Sequence, residues 1–370
     1  MKITKINDFN PYPTNERNGT YGGNAGEKEG ITIDSEYWMV KYPKSTKGMR
    51  GKLTSYTTAP LSEYIGSNIY QILGINAHDT MLGVRNNKLV VACKDFCKIE
   101  GSLREIRTVK NVYNQELAEK LDTTLSSTSS SHLIDINDMV THLNYNPVLK
   151  QVPDTQDRFW EQIIVDSLIN NNDRNNGNWG VLYENGTYRL APVFDNGAAF
   201  SNKLPDEQLN IYLQHPERLQ QSLDTSRKIY SKDGKEIYTK DIVNLEYEGF
   251  QKAVIKLVPI IDSKMSEINE FINNIPEQYQ NITVCSSVRK QFYNQSMQMR
   301  FEQFLKPAYE KALAQSKNNV KSVISNVNYC GASNPIERSA SLGAIVSDCN
   351  TTDIANKLSE SSKPKTRYDT

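Results

Sequence analysis

Residues 171–178 read NNDRNNGN, and residues 192–197 read PVFDNG. The first closes an apolar helical pattern, DRFWEQIIVDSLINNN at 157–172, and the second ends an apolar strand pattern. Between them GVLYE and TYRLA are joined by Asn185-Gly186, a pair suited to the positive φ angles of a tight hairpin turn. Asp173 and Asn178 thus share one polar loop, and Asp195 stands beyond the hairpin. A single Asn/Asp cluster commonly caps a helix or makes an Asx-turn. Carboxylates on both sides of a hairpin also offer hard oxygen ligands for a divalent cation and an acceptor for a hydroxyl proton.

Outward from this pair the chain changes character. ITIDSEYWMVKY (31–42) reads as two β-rich segments about a Ser-Glu turn, and TMLGVRNNKLVVAC (80–93) as a hairpin closed at Asn86-Asn87. Between them Leu61, Ile65, Ile69, Ile72 and Leu73 fall on one face of a helix that stops at Gly74. After Phe96 a charged helix near 103–121 leads to LSSTSSSH (125–132), too polar to pack and expected to be mobile. Helical patterns dominate from about residue 240, ending in a long amphipathic stretch near 286–316. The expected organisation is α+β and two-lobed: a small β-rich lobe at 1–96, a larger helical lobe with one embedded hairpin at 97–328, and a disordered polar tail at 329–370.

With 370 residues and 38% hydrophobic content, the chain can bury such a pair of lobes. Basic and acidic residues balance at 43 each, so no global field favours nucleic acid or membrane. MKITKINDFN lacks the apolar core of a signal peptide, and no run approaches a membrane span, so a protein made in the cytoplasm is expected. A further, translocated destination is left open, as is the oligomeric state. The five cysteines are odd in number and scattered, which argues against a disulfide framework, and CKDFC at 93–97 has no second half to complete a zinc site.

Transfer of a phosphoryl group from a nucleotide needs backbone donors over the phosphates, a fixed cation, oxygen ligands for Mg²⁺, and a carboxylate beside the attacking hydroxyl. The loop GTYGGNAGEKEG (19–30) stands before a strand, and its glycines let the backbone approach phosphate oxygens. Lys41, inside the apolar WMVKYP, is a desolvated charge seeking a partner, and Glu63 is the acid of the following helix. An edge lysine snorkelling to solvent is the plainer alternative. Asp173 can accept the hydroxyl's hydrogen bond, and Asn178 and Asp195 can ligate Mg²⁺.

As an ordered set, YGGNAGEKEGI, YWMVKYP, APLSEYIGSNIYQILGI, VVACKDF, NNNDRNNGNWG and LAPVFDNG resemble the HipA-like serine/threonine kinases over about residues 19–200. The resemblance implies a two-lobed protein-kinase-like fold, ATP and Mg²⁺ as cofactors, and a protein substrate. It implies Asp173 as catalytic carboxylate, Lys41 on the α/β phosphates with Glu63 as its ion-pair partner, and Asn178 and Asp195 as metal ligands. Gly22, Gly23, Asn24, Ala25 and Gly26 would cover the phosphates, Lys28 would reach them, and the backbone at Lys94 and Phe96 would hold the adenine edge. Thr20, by proximity, and Ser129, by mobility, are the candidate autophosphorylation sites. Position 175 is asparagine where the family usually has histidine, and the extra N-terminal domain of the toxin members has no counterpart. The alternatives are a lipid or small-molecule kinase, or a nucleotide-binding pseudokinase used as a binding module; the last would be favoured by loss of Lys41, Asp173 or Asp195, and all three are present.

Overall fold

The computed structural model describes residues 3–19, 21, 27–98, 101–127 and 133–329, without the side chains of 319–329. Thr20, the glycine-loop residues 22–26, Ser129 with its polar loop, and the tail from 330 lie outside the described residues. Two units divide the chain, residues 1–313 and residues 314–370. The first holds both lobes.

Its N-terminal part is a five-stranded sheet built from β1 (Asn7–Asp8), β2 (Lys28–Ile33), β3 (Glu36–Lys41), β4 (Thr80–Arg85) and β5 (Lys88–Lys94), in the order β1-β4-β5-β3-β2. The β2–β3 turn is Asp34-Ser35, at φ 50° and 65°, one position before the Ser-Glu turn expected from sequence. Asp tolerates the left-handed region through local hydrogen bonds, which leaves Glu36 to pair with Ile33. Asn86 and Asn87, at φ 51° and 54°, close the β4–β5 hairpin as expected.

Between β3 and β4 runs α1 (Ala59–Ile72), with Pro60 in its first turn, where no amide hydrogen is needed. It ends at Gly74, φ 79°. Leu61, Ile65 and Ile69 are fully buried, so α1 is packed on both sides. One side meets β4 and β5; the other meets the helical lobe, where Tyr64 lies 5.6 Å from the Phe271 ring. A separate cluster of Phe9, Ile31, Trp38, Val40, Val90 and Ala92 fills out the sheet.

The helical lobe opens with β6 (Leu103–Glu105), α2 (Ile106–Leu121), β7 (Ile134–Asp135), α3 (Ile136–Tyr145) and α4 (Asp154–Leu168). The hairpin β8 (Gly180–Glu184) and β9 (Thr187–Leu190) turns at Asn185 and Gly186, φ 52° and 79°. There follow α5 (Asp206–Gln214), α6 (Pro216–Asp224), β10 (Arg227–Lys232), β11 (Lys235–Tyr238), α7 (Glu248–Asn273), β12 (Gln278–Tyr279), β13 (Ile282–Thr283), α8 (Ser287–Arg300) and α9 (Lys306–Tyr329). Wider π-type turns at Phe301–Leu305 separate the last two helices.

The lobe therefore holds more than the one hairpin expected. The β10–β11 hairpin turns at Asp233-Gly234, φ 52° and 75°, and adds β7 in parallel. Its strands are short, and the inward-facing Lys228 interrupts the apolar alternation that would have announced it. Helix α4 ends at Leu168, short of the expected 172, because Asn170 takes φ 56°. That early stop releases residues 170–178 as a loop. No helix among the described residues is long and apolar enough to cross a membrane.

Gly83 shows how tightly the sheet edge is fitted. A Cβ there would lie 2.4 Å from the Asn7 carbonyl oxygen and 2.4 Å from the Phe9 ring. Gly83→Ala is expected to push β1 off β4 and cost about 1–3 kcal/mol, as overpacking does. Thermal and urea unfolding of the variant check this, with a lower Tm and midpoint as the expected outcome.

Candidate active site

Lys41 ends β3, directly across from Lys28 on β2. Like charges facing across strands repel, so the pair persists only if carboxylates stand near. Lys41 Nζ lies 2.8 Å from Glu63 Oε2 and 2.9 Å from Asp195 Oδ1. Its side chain is 14% exposed, so it bridges the two acids instead of snorkelling to solvent. Burial works against the Lys41 ammonium, yet Asp195 and Glu63 hold its pKa well above the ordinary value. Burial likewise opposes ionisation of Glu63 and Asp195, but Lys41 together with His78 for Glu63, and with Lys28 for Asp195, holds both carboxyls below their usual range. Lys28 moves the other way, pushed down by burial and by Lys41.

The second oxygen of Glu63 is also engaged. Oε1 lies 3.0 Å from His78 Nε2 and accepts the Asn196 amide hydrogen at 3.0 Å. His78 Nε2 also lies 3.1 Å from Ser67 Oγ, to which Asn196 Nδ2 donates at 3.0 Å. Glu63, Gly66 and Ser67 occupy positions i, i+3 and i+4 of α1, hence one face. Gly66 is required there: a Cβ would sit 2.7 Å from Asn196 Cβ. The segment before Asp195 is pinned to the sheet lobe as well, because the His78 amide donates to the Val193 carbonyl at 3.0 Å and the Val193 amide to Asn76 at 2.9 Å. Asp195 itself holds φ 62°, uncommon outside glycine.

Beneath the NNDRNNGN loop lies a second charge centre. Arg174 is fully buried, its Nε 2.9 Å from Asp166 Oδ2 on α4. Tyr70 of α1 donates to Asp166 Oδ1 at 2.9 Å, and Asn171 Nδ2 does so at 3.1 Å. Arg174 Nη1 donates to the carbonyls of Asn178, at 3.0 Å, and Phe194, and Nη2 donates to Asn196 Oδ1. One guanidinium therefore ties the Asp173 loop to the Asp195 loop. Lys228, fully enclosed, donates to the Asp166 carbonyl at 2.9 Å, and burial pushes its pKa down to about 7.

Asp173 projects from this framework with its surface open to solvent. Crowding by surrounding protein and the charge of Asp195 raise its pKa, against the pull of an Asn175 Nδ2 hydrogen bond at 3.0 Å. Asn178 Nδ2 donates to the Asp173 carbonyl at 2.6 Å, which leaves Oδ1 as the acceptor that amide can offer. At the junction between lobes, Phe96 packs 5.5 Å from Phe194 and 6.4 Å from His78. The Lys94 amide donates to the Asp79 carbonyl at 2.9 Å, so that N–H is committed within the sheet. Asp95 pairs with Arg17 at 2.5 Å and accepts from Tyr21 at 2.9 Å.

Lys41, Glu63, Lys28, Asp173, Asn178 and Asp195 thus share one neighbourhood. Sequence reasoning missed His78, Ser67, Asn196, Arg174 and Asp166; the Gly66-Ser67 pair on the face of Glu63 was the one available signal. For a metal, Glu63, His78 and Cys93 bring ligand atoms within 4.8 Å of one another. They do not suit a cation: both Glu63 oxygens are already engaged, and burial raises the Cys93 thiol, keeping it protonated. Asp195 with Asn178 is the oxygen-only set that a hard cation prefers.

No family model matches the chain. It is 29% identical over 311 residues to the serine/threonine-protein kinase CtkA of Helicobacter pylori strain J99, spanning 83% of this chain and 88% of that protein. The crystal structure of the Helicobacter pylori proinflammatory kinase CtkA superposes with a TM-score of 0.70 and 26% identity, over 84% of this chain and 99% of that one. A HipA, HipB and operator DNA complex of Shewanella oneidensis gives a TM-score of 0.45 at 13% identity, over 79% and 69%. The chain is homologous in sequence and structure to the HipA-like kinase CtkA, and its β-rich and helical lobes follow that topology. This homology supports kinase activity.

Replacing Lys41 should expose what the bridge contributes. Lys41→Met leaves two carboxylates without their ammonium, an arrangement that costs about 3–5 kcal/mol when fully buried and less here, where Asp195 is open. The depressed pKa values of Glu63 and Asp195 stabilise the fold above their ordinary values of 4.5 and 3.8, and that contribution is lost as pH falls through the folded values. Urea titrations from pH 3 to pH 8 should therefore show a gap between wild type and variant that is widest near neutrality and narrows below about pH 4.

Proposed function

We propose that this chain is an ATP- and Mg²⁺-dependent serine/threonine protein kinase that also phosphorylates itself, with lobes at residues 1–96 and 97–328. The observation that carries the reading is the single ammonium of Lys41 held between Glu63 of one lobe and Asp195 of the other, beside an open Asp173. A cation pair such as Lys28 and Lys41 has use for a polyanion, and a polyphosphate is one that also needs the oxygen ligands Asp195 and Asn178 offer. When bound, Mg²⁺-ATP supplies the phosphoryl group and the charge neutralisation that its transfer requires.

The residues divide the remaining work. Lys41 and Lys28 orient the phosphates, and Glu63 keeps Lys41 in place with its other oxygen fixed by His78 and Asn196. Asp195 and Asn178 would hold the metal. Asp173 would accept the hydrogen bond of the incoming serine or threonine hydroxyl and take its proton as the new oxygen–phosphorus bond forms and the bond from the γ-phosphorus to the leaving ADP breaks. Its raised pKa makes it a better proton acceptor than an ordinary aspartate. Arg174 holds the two aspartate loops at fixed separation. Phosphate on Thr20 would place negative charge in the glycine loop, repel ATP and inhibit.

The two aspartates should separate by role. Asp195→Ala is expected to weaken Mg²⁺-ATP binding and abolish turnover. Asp173→Ala should leave nucleotide affinity within a few-fold while cutting the rate by about 10²- to 10⁴-fold, the contribution of a general base. Calorimetric titration with Mg²⁺-ATP beside transfer of labelled phosphate to a protein mixture tests this, with phosphosite mapping that includes Thr20 and Ser129. Near-normal transfer by Asp173→Ala would remove that loop from catalysis.

A further inference from the structure

Between β3 and α1, residues 42–62 contain four cations, Lys44, Lys47, Arg50 and Lys52, and no acid. The segment is built as a flap. Ser45 and Tyr56 form an antiparallel bridge, the Thr46 amide donates to the Ser55 carbonyl at 3.1 Å, and the Thr57 amide to Lys44 at 2.8 Å. Gly48 and Gly51, at φ 88° and 107°, turn the tip. The base is anchored to the loop that follows Asp195: Thr58 N–H donates to the Asn202 carbonyl at 2.7 Å, and Thr54 N–H to the Lys203 carbonyl at 3.0 Å.

The tip cations are exposed, and among the described residues no carboxylate stands within ion-pair distance of Lys47, Arg50 or Lys52. Lys44 has Glu27 at 3.5 Å. A chain with equal numbers of acids and bases has thus gathered cations on one short flap without supplying their partners among the described residues. A purely solvated face needs no apolar surface, yet Met49 and Tyr56 of the same flap are 47% and 48% exposed. A groove of about 250 Å³ opens alongside, lined in part by Pro43, Tyr56, Lys88, Leu89 and Val284. The flap adjoins the reacting centre, since it follows Lys41 directly in the chain and is tied to the loop beyond Asp195.

We propose that the flap is a docking surface for an acidic segment of the polypeptide whose hydroxyl Asp173 receives. This rests on the kinase reading. A substrate chain crossing the cleft beside Asp173 meets Lys44 first and the tip cations beyond it. Carboxylates on that chain supply the missing counter-charges, and an apolar residue between them can settle against Met49 or Tyr56. Nucleic acid fits less well, because four cations on one short flap make a small footprint in a chain of zero net charge.

The test compares the full chain with its Lys47→Glu/Arg50→Glu/Lys52→Glu variant; these side chains are exposed and lie outside the catalytic groups. Fluorescence anisotropy measures binding of a labelled serine peptide flanked by Glu and Asp, and of its Gln/Asn counterpart, at low and high salt. Wild type should bind the acidic peptide at least about tenfold more tightly, with the advantage shrinking as salt rises. Charge reversal should erase the preference and lower kcat/KM for the acidic peptide, leaving KM for ATP and kcat/KM for the neutral peptide unchanged. Should the reversed variant lose folded structure, the Gln-for-cation triple variant gives the same comparison. Equal binding of both peptides by wild type overturns the proposal. So does an undiminished preference in the variants, or a charge-dependent loss seen with RNA or anionic vesicles alone. Failure of wild type to phosphorylate any peptide would sink the kinase reading instead, while anisotropy still reports on the flap.

Discussion

A carboxylate taken out of water costs several kcal/mol unless ionic and hydrogen-bonding partners replace the solvent. Glu63, 1% exposed, is in that position, and its partners come from three parts of the chain. Lys41 arrives from β3, His78 from the segment before β4, and the Asn196 amide from beyond the β8–β9 hairpin. Satisfying one charge fixes the strand, the helix and the loop relative to each other. The registration of the two lobes is in this sense an electrostatic requirement, with the α1 apolar faces supplying most of the buried area.

Asp166 and Arg174 repeat the arrangement under the other loop, with Tyr70 again contributed by α1. Asn196 joins the two centres, since its amide nitrogen donates to Ser67 and its amide oxygen accepts from Arg174. The side chain is fully buried and donates and accepts at once, so an aspartate would forfeit the donor and an aliphatic residue both bonds.

Much of the fold was legible because its signals are local. The Asn86-Asn87 and Asn185-Gly186 turns, the α1 stripe and its stop at Gly74 each depend on neighbours in sequence. The β10–β11 hairpin escaped because a buried lysine sits where an apolar residue would complete the alternation. At the site, Lys41, Glu63, Asp173, Asn178 and Asp195 could be named since charged or amide groups in an apolar strand, a helix and two loops are visible as types. His78, Ser67 and Arg174 were not, because their importance lies in burial and in partners far along the chain. The glycine-loop residues 22–26 and the autophosphorylation positions Thr20 and Ser129 fall outside the described residues.

The Lys41–Asp195 contact spans 154 positions of sequence, and the Glu63–Asn196 contact 133. Closing loops of that length is entropically slow to reward. During synthesis at about 5–20 residues per second, about 8–30 seconds separate the appearance of Lys41 from that of Asp195. The sheet lobe can form in that interval, but Glu63 has no second lobe to meet. The growing chain is thus held in a latent state, and its charge cluster closes only after the segment around Asn196 has emerged.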